Sequence, residues 1–264
     1  MKPQLAVQTY TIREFTKTRR DLASSLAKIA ALGYSAVQLS AVDAMNGDAP
    51  EVTPQLARKM LDDNGLKCIA THRSWDSLVG DTAWEIEIHK TLGCDFAAIG
   101  GLPASYQLLG KTGFEAFLRD SAPVIAALKA ADIRFGYHNH AWEFVRVGTT
   151  GTLFDTFIED GGPDFHLELD LYWASHSGLN PQRLVERCSG RMPVIHVKDK
   201  QMIGSEAVMA PVGEGNLDWA HLIPACAAAG ALWLTVEQDE YRRDPFDCLK
   251  SSLEFLRRFD ERSS

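Results

Sequence analysis

FHLELD at residues 165–170, PVIHVKD at 193–199 and LWLTVEQ at 232–238 are three short apolar runs, each closing on an ionisable residue, Asp170, His196 or Glu237. Such runs have the pattern of strands buried on both faces in a parallel sheet. Outward from them the same unit recurs along the chain. Candidate strands begin near Leu5, Ala36, Lys67, Phe96, Arg134, Phe165, Pro193 and Leu232. Amphipathic stretches separate them, among them DLASSLAKIAALG ending at Gly33, TPQLARKMLDDNG ending at Gly65 and WEIEIHKTLG ending at Gly93. Each stops at glycine, which most easily takes the left-handed conformation that ends a helix. Thr53 before Pro54 has the pattern of an N-cap followed by proline in the first turn.

GFEAFLRDSAPVIAALKAADI and LDWAHLIPACAAAG continue the helical pattern, and Pro123 and Pro224 inside them predict kinks or breaks. PFDCLKSSLEFLRRF forms the last helix. Strand-plus-helix units at a spacing of about 30 residues, with no linker between them, predict a single (β/α)8 TIM barrel over residues 1–264. An open doubly wound sheet would also alternate, but eight units favour closure. All βα loops then gather on one face.

Composition narrows the function. A net charge of −8 and a pI near 5.5 argue against a surface that neutralises phosphates, so no nucleic-acid partner is expected. The N-terminal apolar stretch turns polar by Thr11 and Arg13, too soon for a signal segment, and no run approaches a membrane span. The cysteines, Cys68, Cys94, Cys188, Cys226 and Cys248, are odd in number and never spaced as CxxC. They predict buried free thiols and a cytoplasmic protein.

In a barrel, polar residues at a strand's C-terminal end point into the shared mouth. These are Gln8 and Tyr10, Gln38, His72 with Trp75 and Asp76, then Tyr137 to His140 and Glu143, Asp170 with Tyr172 and Trp173, His196, Lys198 and Asp199, and Glu237 to Asp239. Strand four, ending in AAIGG, offers little. A lone Asp at a strand end often caps a turn, and a lone His often sits satisfied in a core. Ionisable residues on neighbouring strands of one barrel point instead to a cation, because buried charges are costly unless paired or metal-bound. Glu143 or a histidine of YHNHAWEF would complete a four-ligand set with Asp170, His196 and Glu237. Carboxylates with imidazole suit Mn2+, Mg2+, Co2+ or Zn2+. Glu168 has the parity of Asp170 one layer deeper and is expected as a buried network residue.

YHNHAWEF, LDLYWASHSG, IHVKD, VGEGNLDW and VEQD resemble the xylose isomerase-like TIM barrels, specifically the sugar phosphate isomerase/epimerase group, over nearly the whole chain. The resemblance implies one divalent metal, Mn2+ foremost, held by Glu143, Asp170, His196 and Glu237. The ketose epimerases of that family carry their strand-five Glu at the strand end, where this chain has His138 and Asn139. His140 is therefore the alternative fourth ligand.

A metal in such a site polarises a carbonyl or hydroxyl oxygen and makes the neighbouring C–H acidic. Glu237, His140 and Glu143 are the candidate catalytic residues, with His72 and His138 also within reach of a bound substrate. Return of the proton gives epimerisation or isomerisation; departure of a β-leaving group gives elimination. Lys198 holds a hydroxyl, orients Glu237, or is a salt bridge inside the mouth. His72, His138, Tyr10, Trp75 and Trp173 are candidate substrate contacts, the indoles of Trp75, Trp142 and Trp173 serving as an apolar wall or as ordinary rim packing. VGEGNLDW predicts a turn into a helix capped at Asn216 or Asp218, since one GxG is a weak phosphate signal. The expected partner is a small carbohydrate, with a homo-oligomer possible. A metal-dependent endonuclease, known among relatives, ranks below because the chain is acidic.

Overall fold

The computed structural model describes residues 2–149 and 151–261. Eight strands form the barrel: β1 Gln4–Gln8, β2 Ala36–Leu39, β3 Lys67–His72, β4 Phe96–Ile99, β5 Arg134–His138, β6 Phe165–Asp170, β7 Val194–Val197 and β8 Trp233–Val236. They pair in parallel in chain order and close through β1 and β8, where Leu5 pairs with Leu234 and Val7 with Val236. Five of the expected starts coincide with the strands, and Leu5, Pro193 and Leu232 are each displaced by one residue.

The barrel holds two apolar layers. Inside, small residues (Ala6, Ala36, Ala70 and Ala98) surround Phe96, Ile69 and Val194. Phe96 fits there because Gly136 has no side chain: a Cβ at that position would lie 2.4 Å from the Phe96 ring. Outside, Val7, Val37, Phe135, Leu167, Leu169, Ile195 and Leu234 meet the helices in one continuous core. Side-chain alternation along each strand sends one set into the lumen and the other to the helices.

Local signals in the sequence set the helix ends. Arg19–Leu32 ends at Gly33 with φ +103°, and Thr82–Leu92 ends at Gly93 with φ +65°. Thr53 caps Pro54–Asp63 through a bond from the Leu56 N–H. At the two prolines the expected breaks do not occur. Helix Lys111–Ala130 runs unbroken through Pro123, and Trp219–Ala228 through Pro224. Each proline deletes one backbone bond, but burial of Phe114, Phe117, Val124 and Leu128 in the first, and of Leu222, Ile223 and Cys226 in the second, holds the helices together.

Two antiparallel hairpins rise from the C-terminal side of the barrel. One pairs Arg146–Val147 with Gly151–Thr152 after β5; the other pairs Asp199–Ile203 with Glu206–Ala210 after β7. VGEGNLDW does lead into a helix beginning at Trp219, but Asp218 makes no side-chain cap and Asn216 accepts the Met202 N–H instead. The loop is wrapped around Asp199. Its carboxylate accepts the backbone N–H groups of Lys200, Gly213, Gly215 and Leu217 and the Trp219 indole N–H, at 2.7–3.1 Å. All five cysteines are buried free thiols. Among the described residues no helix is long and apolar enough to cross a membrane.

Candidate active site

Register brings the polar strand ends together. His138 on β5 pairs with Glu168 on β6, Asp170 with His196 on β7, and His196 with Thr235 on β8. Strand alternation that sends Leu167 and Leu169 to the outer core turns Glu168 and Asp170 into the lumen. All four of His138, Glu168, Asp170 and His196 are essentially without solvent contact.

His196 is the hub. Its Nδ1 is 2.9 Å from Glu237 Oε2, and its Nε2 is 2.8 Å from Gln38 Oε1 and 3.4 Å from Glu168 Oε2. Glu168 also accepts Gln38 Nε2–H at 2.8 Å and is hydrogen-bonded to His72 Nε2. Its expected place in a buried network is what the structure shows. Above this layer Lys198 Nζ lies 2.9 Å from Asp170 Oδ2, 2.8 Å from Glu237 Oε2 and 2.9 Å from Asp239 Oδ2. Lys198 thus forms a buried salt bridge inside the mouth, and through the same contact it fixes Glu237. Gly100, at the end of the uninformative β4, makes room for the network, since a Cβ there would be 3.1 Å from His72 Nδ1.

Packing these groups out of water drives their ionisation apart. Burial opposes charge on Glu168, but His196 and His72 override it and bring its pKa to about 2. Burial likewise opposes a charged His196, yet Glu168 and Glu237 raise it to about 10. Glu237 is held well below the usual carboxylate range because Lys198 and His196 outweigh its desolvation. Asp170 goes the other way, to about 6, its burial only partly offset by Lys198. Burial, then the surrounding imidazoles, push His138 well below the usual histidine range; burial, then Lys198, bring His140 to about 4.

The network floors a cavity of about 540 Å³ at the C-terminal face. Tyr10, His72, His138, His140, Trp173 and Glu237 all line it, together with Asp239, Glu240 and Met209 from the second hairpin. Two expected residues lie elsewhere. Trp75 is buried edge-on against Phe117 and Phe135, 4.8 and 6.5 Å between ring centroids, so it belongs to the core and not to the wall. Trp142 packs on Phe114 beneath the same loops.

Glu143 is the larger departure. It sits on the short 3-10 turn Trp142–Phe144, fully buried, and its carboxylate accepts Tyr137 Oη–H and the His140 backbone N–H, each at 2.9 Å. Burial raises its pKa to about 7. Among the described residues, the His, Asp and Glu whose ligand atoms lie within 4.8 Å of one another form two overlapping groups, His138/Asp170/His196/Glu237 and His72/His138/Glu168/His196. Neither contains Glu143 or His140. Strand five contributes His138, whose position as last residue of β5 was the available signal.

These donors fit a divalent ion. His138 Nδ1 and Asp170 Oδ2 are buried without a hydrogen-bond partner, although the latter is ion-paired with Lys198. An orphaned buried polar atom costs about 1–3 kcal/mol. The two groups share His138 and His196. His138 serves either group, its orphaned Nδ1 lying 3.6 Å from Glu168 Oε2 and its Nε2 4.0 Å from Asp170 Oδ2; the group with Asp170 and Glu237 holds the orphaned Asp170 Oδ2, whereas Glu168 is already engaged by Gln38 and His72.

The fold has many counterparts among solved structures. A sugar phosphate isomerase/epimerase from Parabacteroides distasonis is similar at TM-score 0.78 and 23% identity, over 97% of this chain and 94% of that one. A probable 3-DHS dehydratase involved in petrobactin synthesis from Bacillus anthracis is similar at TM-score 0.69 and 14% identity, over 97% and 98%. An AP endonuclease, family 2, from Brucella melitensis is similar at 0.68 and 13%, over 96% and 99%. At these identities the likeness is one of fold alone. No curated protein matches the chain. The family model described as xylose isomerase-like TIM barrel matches residues 26–259, nearly the whole closed barrel described above, and the chain belongs to that family.

Proposed function

We propose that the protein is a divalent-metal-dependent enzyme that abstracts a proton beside the carbonyl of a small sugar, as an isomerase or epimerase. The convergence of His138, Asp170, His196 and Glu237 from four consecutive strands beneath an open cavity carries this proposal. Those four would hold the ion, for which Mn2+ suits two imidazoles with two carboxylates. A bound ion would polarise the substrate oxygen and make the adjoining C–H acidic.

The chain's own residues supply the rest. His140 faces the cavity as a neutral imidazole, the free form a proton acceptor needs, although a pKa of about 4 makes it a weak base. Glu143 Oε1 lies 4.0 Å from His140 Nδ1, and its carboxylate grips the His140 backbone, fixing the loop that carries the ring. Glu237 is the less available base because its Oε2 is committed to Lys198 and His196. Trp173 and Tyr10 offer ring faces to the apolar side of a sugar.

A second reaction, β-elimination from a keto-sugar or keto-glycoside, is favoured by the replacement of a strand-five carboxylate by His138. With Glu143 turned away, the site lacks the facing pair of glutamates that a two-base epimerisation needs.

The test has two parts. Metal analysis and Mn2+ titration of the purified protein should give one ion per chain; no affinity for a divalent metal overturns the proposal. Incubation with ketoses and 3-keto-glycosides in D2O should then wash solvent deuterium into carbon. Incorporation without loss of a group marks isomerase or epimerase chemistry, and release of water or an aglycone marks elimination.

A further inference from the structure

Apart from the ion that Glu237 would help hold, the charged side chains on the cavity wall have one sign. Glu237, Asp239 and Glu240 line it, and no lysine or arginine does. Of the cations close by, Lys198 and Arg13 are both engaged. Lys198 is wholly buried beneath the floor with its ammonium against Asp170, Glu237 and Asp239. Arg13 stacks on the Tyr10 ring at 4.3 Å and donates to the Tyr10 and Asp239 backbone carbonyls. A phosphate ester carries a charge of about −1.5 to −2 near neutral pH and is normally met by charge-assisted donors. Here its neighbours would be carboxylates. Three imidazoles also line the wall, but burial disfavours charge on His138 and His140 and His72 is engaged by Glu168; Ser40, Ala41, Gly100 and Met209 carry no charge.

The same wall suits hydroxyl groups. Lys198 fixes Asp239 through Oδ2, while Oδ1 accepts no hydrogen bond among the described residues. A carboxylate held by one oxygen presents the other as a preset acceptor. Across the cavity the Trp173 indole N–H is buried without a partner, and its ring stands beside His140. An acceptor, a donor and aromatic faces around one cavity match a neutral polyol, whose C–H faces are apolar and whose rim is all O–H.

We infer that the substrate is an uncharged, unphosphorylated sugar, and that Asp239, positioned by Lys198, is the residue that selects it against the phosphate ester. The inference rests on the sugar-enzyme proposal above. Its test uses matched pairs, D-fructose with D-fructose 6-phosphate, D-tagatose with D-tagatose 6-phosphate and D-xylulose with D-xylulose 5-phosphate, on the Mn2+-loaded chain. Deuterium exchange gives kcat/KM, and calorimetry gives binding.

The free sugar should be preferred by at least about tenfold, roughly 1.4 kcal/mol. Asp239→Asn should raise KM for the free sugar more than it lowers kcat. Glu240→Lys, at an exposed position that tolerates change, should narrow the preference by about tenfold. Equal or better use of the esters overturns the inference while leaving the sugar-enzyme proposal standing. Free-sugar preference with Asp239→Asn unchanged in KM overturns the role of Asp239. Exchange with none of the six compounds overturns the inference together with the isomerase proposal beneath it.

Discussion

Lys198 Nζ and Glu237 Oε2 lie 2.8 Å apart, with the ammonium wholly out of water. The same ammonium serves Asp170 and Asp239, so replacing it leaves three carboxylates to repel one another. Breaking a buried ion pair from one side costs about 3–5 kcal/mol. Lys198→Met should therefore lower metal-free stability by that order in urea unfolding. Mn2+ should recover more of the melting temperature in the variant than it adds to the wild-type protein, because the ion compensates the same charges. Equal Mn2+ shifts in the two proteins would show that lysine and metal do not share those carboxylates.

Glu143 lies outside both clusters of converging donors, whereas Asp170 and Glu237 share one. Glu143→Gln should leave Mn2+ affinity within about threefold, while Asp170→Asn and Glu237→Gln should each weaken it by well over tenfold, a difference of more than about 1.4 kcal/mol. Calorimetric titration of the three variants decides it. A large loss in Glu143→Gln would restore the strand-five carboxylate as a ligand.

Asp199 collects four backbone N–H groups and an indole N–H. Asparagine at this position turns an amide donor toward donors, and each buried group left unpaired costs about 1–3 kcal/mol. Asp199→Asn should destabilise the protein by roughly 2–4 kcal/mol and speed amide exchange at Gly213, Gly215 and Leu217. Gly215→Ala should disturb the same loop, since its Cβ would stand 2.3 Å from Asp199 Oδ1. Unchanged exchange in both variants would remove Asp199 as the organiser of this loop.

His89 supplies the pH test away from the cavity. Its ring is buried, Nδ1 donating to the Glu85 carbonyl and Nε2 accepting from Thr71 Oγ1, each at 2.7 Å, an arrangement met by the neutral tautomer. Burial lowers its pKa below 6.5. The unfolded chain therefore binds this proton first, so stability is full above pH 6.5 and falls as the pH drops from there toward the folded pKa. One such group contributes a slope of up to about 1.4 kcal/mol per pH unit. Urea unfolding between pH 7.5 and 5.5 should show a shallower acid loss in His89→Gln than in the wild type. Identical slopes would assign the acid sensitivity elsewhere.

The barrel was legible because its signals are local: an apolar run is a strand wherever it packs, and Gly33 or Gly93 ends a helix through its own backbone. Convergence of Asp170, His196 and Glu237 also followed, since strand ends of a closed barrel must meet. His138 obeys the same rule and is one of the histidines of YHNHAWEF open as fourth ligand, but the resemblance to enzymes with a strand-five carboxylate ranks Glu143 ahead of it. Gly204–Ser205 carried a hairpin signal, masked by the mixed polarity of the flanking strands. Trp75 and Lys198 were beyond such rules. Whether an indole swings under Phe117, or an ammonium finds Asp170, Glu237 and Asp239, depends on partners 28 or more residues away in sequence.

The hairpin from Asp199 to Ala210 contributes only Met209 to the cavity wall, while the converging donors are borne by the barrel strands or, for Glu237, by the residue just beyond one. The donors and the selecting Asp239 thus belong to the barrel strands and the residues that follow them, and the hairpin adds only one side chain above them. The outer turn around Gly204 is an exchangeable part. Variants with longer or shorter hairpins offer a route to new substrates without disturbing the polar plug that fills the barrel beneath them.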